Sequence, residues 1–157
     1  PTHSNTVAGW REWVALPEIG VSWIKAKLDT GAHSSALHAS DIEEFVGDDG
    51  SEWVRFRVQP WQKSEADAVP VELPIHDRRS VRSSSGHSES RIVVNINVDL
   101  CGRPVMAETT LTNRDEMGFR MLVGREALRQ GFLVDSNASF LGGRAPRAIR
   151  RRNQGRD

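Results

Sequence analysis

Cysteine is almost missing from this 157-residue chain, with Cys101 as its single representative. One thiol excludes an internal disulfide. Cys101 sits beside Gly102 with no histidine or second thiol at ligand spacing, so it reads as a small, partly buried residue. Net charge is missing as well, because 21 Lys and Arg balance 21 Asp and Glu. A balanced chain carries no global field that would draw it to nucleic acid or to an anionic membrane. No apolar run approaches bilayer-spanning length, and no basic-then-apolar leader opens the chain. The expectation is a soluble, cytoplasmic protein, although a start at Pro1 leaves room for a removed leader.

Other absences narrow the chemistry. His33 and His38 stand five apart with no adjacent glutamate, and His3, His76 and His87 are scattered, so a catalytic zinc, or any metal, is not expected. No glycine-rich loop of the phosphate-cradling kind occurs, so no nucleotide and no other cofactor is called for. Gly86-His87-Ser88-Glu89-Ser90 lacks the second glycine and the strand-to-helix setting of a serine-hydrolase elbow. There is no internal repeat.

What the chain does contain is alternation, the period of half-buried strands. Ile24, Ala26 and Leu28 oppose Lys25 and Lys27; Val54, Phe56 and Val58 oppose Arg55 and Arg57; Ile92, Val94, Ile96, Val98 and Leu100 form the longest such run. Residues 10–16 and 23–28 are expected to form a hairpin about Pro17-Glu18-Ile19-Gly20, and residues 92–100 and 105–111 another about Cys101-Gly102. Ser40-Asp41-Ile42-Glu43 fits a capping box and predicts a short helix stopped near Gly47. Residues 60–74 lack a period and read as an irregular excursion. Met121-Leu122-Val123 predicts a short buried strand, followed by one or two helical turns over 125–130 and more sheet at 132–134. Residues 1–141 are taken as one mostly β domain. Residues 142–157 are taken as a mobile basic tail, whose Arg144, Arg147, Arg150, Arg151 and Arg152 lack interleaved aromatics for nucleic-acid stacking.

The stretch with chemical content is Leu28-Asp29-Thr30-Gly31-Ala32-His33-Ser34-Ser35. An apolar strand ending in Asp-Thr-Gly displays one carboxylate on a tight turn, as aspartic peptidases display their catalytic acid. The triplet occurs once, whereas activation of water by this route needs two facing carboxylates, so the chain is expected to act as a homodimer. Two like charges about 3 Å apart share one proton, leaving one carboxylate as general base and the other as proton donor. Gly31 lets a substrate backbone approach where a Cβ would obstruct it.

Asp29-Thr30-Gly31-Ala32-x-x-Ser35 together with the distal Leu122-Val123-Gly124-Arg125-x-x-Leu128 resembles the retropepsins, the homodimeric aspartic peptidases. The segments Gly9-Trp10-Arg11-Glu12-Trp13-Val14, residues 28–39, Val81-Arg82-Ser83-Ser84-Ser85-Gly86 and residues 111–128 look more closely like a bacterial branch of that family. Its members are often labelled ATP-dependent zinc proteases and occur with ATP-grasp glutamate ligases.

The resemblance implies a retropepsin-like closed β-barrel or sandwich with one or two short helices, its active site at a homodimer two-fold axis. It implies catalytic roles for Asp29, Thr30 and Gly31, with the Thr30 hydroxyl bonding across the axis. Substrate contacts are implied for Ala32, His33 and Ser34 and for a flap over 76–91 carrying Arg82, Ser83, Ser84, Ser85 and Gly86. Structural support is implied for Ser35, Leu122, Val123, Gly124 and Arg125. Two departures stand out: the flap tip is polar, and His33 replaces the aspartate that commonly pairs with the distal arginine. Arg125 then turns either to another acid, such as Glu126 or Glu116, or into the cleft. The implied substrate is a peptide or protein, with an acidic or glutamylated tail as the candidate. The rival reading is a non-catalytic binding or adaptor module that keeps the fold and recognises acidic segments.

Overall fold

The computed structural model describes residues 5–82, 86–113 and 118–156, and Ser83, Ser84, Ser85 and Glu116 lie outside the described residues. Alternation wins along most of the chain. The strands are β1 (Thr6–Leu16), β2 (Val21–Asp29), β3 (Ser35–Val46), β4 (Glu52–Val58), β5 (Val69–Pro74), β6 (Asp77–Arg82), β7 (Ser88–Leu100), β8 (Arg103–Thr112), β9 (Met121–Gly124) and β10 (Phe132–Ser139). Two helices, α1 (Arg125–Leu128) and α2 (Arg147–Asn153), are short.

Neighbouring strands run β1-β2-β9-β3-β8-β7, and a single bridge between Ala15 on β1 and Asp99 on β7 returns the path to its start. The result is a closed six-stranded barrel. Closure removes the open edges that a flat sheet would expose. The inward residues of each strand fill the interior: Ile24, Ala26, Leu37, Val94, Ile96, Val98, Met121 and Val123 are almost fully buried. β10 adds to the outside of β1, β6 to β7, and the β4–β5 pair extends β3. Among the described residues no helix is long and apolar enough to cross a membrane.

Three expectations need correction. Ser40-Asp41-Ile42-Glu43 is strand, not helix, and lies in β3 where its register against β4 slips between Ser40 and Glu43. Asp41 takes a left-handed φ of 53° there, and Ser40 Oγ accepts a hydrogen bond from Gln59 Nε2 instead of capping a helix. A capping box nucleates little without an amphipathic run behind it, and pairing with β4 captures this backbone instead. The excursion over 60–74 is irregular only in its first half, since Val69–Pro74 pairs antiparallel with β4. Pro70 is tolerated because β5 has β4 as its one strand partner and is an edge.

The basic tail, third, is folded. Ala145, just before the helix, and Ile149 within it pack with Trp13, Trp23, Trp61 and Phe140. Asn153 is buried, accepts from the Gln62 backbone N–H at 2.8 Å and donates to Gln62 Oε1 at 2.8 Å. Arginines dominate this segment by number, and two apolar residues, one on each side of Pro146, decide its packing.

The start of β1 is tied to the end of the barrel by one buried carboxylate. Glu12 accepts from the backbone N–H groups of Gly9 (2.7 Å), Leu141 (2.8 Å) and Gly142 (3.0 Å). Burial, with Glu12 alongside, pushes the Cys101 thiol up to about 11, which keeps it protonated and inert. Glu12→Leu would strand three main-chain donors, that of Gly9 buried, so a loss of about 3 kcal/mol is expected, read from the urea unfolding midpoint.

Candidate active site

β2 and β9 run parallel, with Leu28 opposite Val123 and Asp29 opposite Gly124. Each strand then turns sharply, and the two turns lock together. Gly31 N–H donates to Asp29 Oδ1 at 2.9 Å, closing the Asp-Thr-Gly turn on its own carboxylate. Arg125 N–H donates to the Ala32 carbonyl at 2.8 Å, and Glu126 N–H to the His33 carbonyl at 3.0 Å. Gly124 N–H donates to Ser35 Oγ at 3.1 Å, and the Arg125 guanidinium donates through Nη1 to the Gly31 carbonyl at 2.9 Å.

This arrangement answers what Arg125 does when His33 stands in place of an acid. Its guanidinium holds a main-chain carbonyl of the Asp29 loop, and no carboxylate among the described residues is its partner. Glu126 is engaged elsewhere, accepting from the Glu108 backbone N–H at 2.9 Å. Gly124 has a separate reason to be glycine: a Cβ there would lie 2.5 Å from the Ser34 carbonyl oxygen and 2.9 Å from that of Ala32. At Gly31 a Cβ would crowd Asp29 Oδ1 at 3.2 Å.

Asp29 itself is half-buried, while Thr30, Gly31 and His33 are exposed. Ser35 is buried and also accepts, through its carbonyl, from Thr110 Oγ1 at 3.2 Å. Val123 is fully buried and Leu122 half-buried.

A cleft of about 560 Å³ opens beside the Asp29 loop, lined by Ala32, His33, Ser34 and Leu122 on one side and by the β6–β7 hairpin on the other. β6 and β7 pair from Asp77 opposite Val93 to Arg82 opposite Ser88, so the predicted flap is a projecting hairpin. Arg82 lines the cleft, and Gly86, with a left-handed φ of 85°, sits at the exposed turn.

Sequence reasoning did not single out Arg79, Arg91, Thr110 and Thr112 among the lining residues, although the flap expected over 76–91 contains the first two. Arg79 and Val81 alternate on the inward face of β6, a signal that was readable; Arg91 fell one residue before the strand expected at 92. Arg79 braces the base of the hairpin, with Nη1 2.9 Å from Glu108 Oε2 and donating at 2.9 Å to Ser34 Oγ, and with Nε donating at 3.0 Å to Asp77 Oδ2. The side chain of Arg91 is only 10% exposed. Its Nε and the Thr112 hydroxyl are buried and have no hydrogen-bond partner among the described residues. Buried donors without partners are costly and are ordinarily kept where a ligand completes them.

Among the described residues no three of His, Cys, Asp and Glu cluster as metal ligands would.

A closed six-stranded barrel with an Asp-Thr-Gly loop locked to a Gly-Arg turn and overhung by a hairpin is the architecture of a retropepsin-like protein. The chain belongs to the RimB-like family, described as the retropepsin-like aspartic endopeptidase RimB, whose model matches residues 7–145. It is also similar to proteins of Shewanella pealeana and Desulfotalea psychrophila, each named "Probable alpha-L-glutamate ligase", at 44% and 42% identity. Those matches cover 85% and 84% of this chain but 29% and 28% of the relatives, so the chain spans less than a third of their length. Among solved structures it is similar to Lpg0085 of Legionella pneumophila, a protein of unknown function. The TM-score is 0.74 at 28% identity, covering 88% of this chain and 99% of that one.

Gly124→Ala is expected to force the two loops apart, because the atoms it meets are backbone; a loss of about 2 kcal/mol or more should appear in thermal unfolding. Hydrogen bonding to Arg79 holds the Glu108 carboxyl below its ordinary value of 4.5, despite some burial. A carboxyl depressed in the fold stabilises it above that ordinary value and ceases to as the pH falls through the folded one. Acidification below about 4.5 should therefore raise amide exchange across residues 77–82, and Glu108→Gln should remove that acid-dependent part.

Proposed function

We propose that this chain is an aspartic endopeptidase that works as a homodimer, with one Asp29 from each subunit facing the other across a two-fold axis. The triplet occurs once per chain, and chemistry of this type needs two carboxylates. In the assembled pair one carboxylate takes a proton from the water between them while the other donates to the scissile carbonyl. Exposed Thr30 leaves its hydroxyl available to the partner loop. Gly31 leaves room for substrate backbone, and the β6–β7 hairpin closes over it. The observation that carries the reading is the Asp29 carboxyl, held by Gly31 N–H on a loop that Arg125 and Glu126 clamp from β9 and α1.

The substrate proposed is an acidic tail, such as a run of glutamates. Arg79, Arg82, Arg91 and His33 line the cleft beside Asp29, and Arg91 presents an unpartnered buried donor there. A guanidinium fork suits a carboxylate. The glutamate-ligase name of the longer relatives supports a glutamate context. The same name favours a second reading, a non-catalytic module that binds an acidic tail for an attached or associated ligase.

Asp29→Asn is expected to lower kcat/KM on a glutamate-rich peptide by at least about a thousandfold with the melting temperature unchanged. Full activity in that variant would remove the dyad. Equal cleavage of neutral peptides would remove the acidic preference, and tight binding by the unmodified protein without any cleavage would establish the adaptor.

A further inference from the structure

Several arginines on this surface are matched to acids. Arg55 lies near Glu43 and Glu72, Arg78 near Glu44 and Glu52, Arg79 near Asp77 and Glu108, and Arg152 near Asp67. One group of cations gathers on a single ring instead of on acids. On the outer face of β1 and β2, where the C-terminal segment folds back, Arg11, Lys25 and Arg144 all gather on Phe140. Arg11 Cζ stands 5.0 Å, Lys25 Nζ 5.4 Å and Arg144 Cζ 5.1 Å from the centre of that ring. Arg150 joins Lys25 and Arg144 in lining a pocket of about 190 Å³ between Trp13 and Phe140. Among the described residues none of these four cations has a carboxylate within 4 Å, the separation that defines the pairs above. Arg11 bonds only the neutral Ser139 hydroxyl, and Arg150 Nε is buried with no hydrogen-bond partner.

Two further observations mark the spot as built at a cost. Phe140 holds a left-handed φ of 57°, a conformation unfavourable for an aromatic residue. Lys25 has its pKa lowered, first by burial and then by the fields of Arg11 and Arg144, so the cluster repels itself as it stands. The ring faces offset part of that repulsion through cation–π attraction. A neutral hydroxyl and a ring cannot supply the missing negative charge.

We propose that the pocket between Trp13 and Phe140 is a binding site for a phosphate group, held by Lys25, Arg144 and Arg150. A single carboxylate would leave most of the converging charge unanswered, whereas a phosphate carries up to two negative charges and enough oxygens to serve two guanidinium forks and an ammonium. The volume admits such an ion with several waters, each needing about 30 Å³. Nothing in this site depends on the chemistry assigned to Asp29. It lies on a different face, and it uses the C-terminal helix, which the peptidase reading leaves without a task.

The test is thermal unfolding, with tryptophan fluorescence as a second readout, during titration with inorganic phosphate at constant ionic strength balanced by chloride. Holding ionic strength constant removes general screening from the comparison. The full chain should melt at rising temperature with saturable phosphate dependence. Lys25→Met, which keeps the apolar stem over Trp13, and the exposed Arg144→Gln should each weaken the apparent affinity by about tenfold or more. Both should unfold in chloride alone at or above the unmodified temperature, because each relieves repulsion. Glycerol 3-phosphate in a parallel titration separates the sources: a matching response assigns a phosphate carried on a larger molecule, and a response to inorganic phosphate alone assigns the free ion. Identical melting in phosphate and chloride would overturn the proposal. So would an undiminished phosphate response in both variants, or a response to a tetraglutamate peptide with none to either phosphate compound.

Discussion

Asp29 and Gly124 stand opposite each other at the ends of two parallel strands, and the rest of the candidate site depends on that pairing. A parallel pair cannot be joined by a tight hairpin, so β2 and β9 meet only because the intervening chain builds the remainder of the barrel. Where both strands stop, main-chain donors of Gly124, Arg125 and Glu126 find acceptors in the stretch 32–35. The close approach of the two backbones allows no Cβ at Gly124. The Arg125 side chain then adds a fourth bond, to the carbonyl of Gly31. The Asp29 carboxylate sits on a tightly turned loop, and the bonds from the opposite turn supply the rigidity such a loop lacks by itself.

Arginine serves this protein in two electrostatic settings. At the base of the cleft one guanidinium is paired and directional: Arg79 links the hairpin base to Glu108 on β8 and to Ser34 on the Asp29 loop. That brace couples hairpin position to loop position, since both hang on one side chain. On the outer face of β1 and β2, cations instead crowd one aromatic ring without acids. A paired guanidinium fixes geometry, whereas cations gathered without acids repel one another. The two settings coexist on a chain whose overall charge is zero.

The folding back of residues 145–153 has consequences beyond the tail itself. It covers Trp13 and Trp61, which would otherwise leave apolar surface open on the outside of the barrel. Asn153, bonded to Gln62, ties the helix to the loop that follows β4. Arg120 Nε reaches the same loop by donating to the Trp61 carbonyl at 2.7 Å. Glu12 ties the other end of the segment, at Leu141 and Gly142, to β1.

Much of this was readable in advance. Strands were expected at five of the six barrel positions, all but β3, and period-two alternation marked β2 and β7 most clearly, because a half-buried strand must separate apolar from polar residues along its length. Asp29-Thr30-Gly31 and Leu122-Val123-Gly124-Arg125 identified the two turns, since each needs particular residues at particular places. The chain by itself thus determined the mostly β class, the loop that bears Asp29 and the distal block that supports it. Tertiary structure decided what local preference could not: that Ser40-Asp41-Ile42-Glu43 is captured by a neighbouring strand, that Arg125 bonds a carbonyl in the absence of an acid, that Arg91 is buried beside the cleft, and that a run of arginines forms a helix that packs through Ile149 beside Ala145. In each case the deciding partner lies far away in sequence, and a contact between distant residues leaves no periodic trace in either of them.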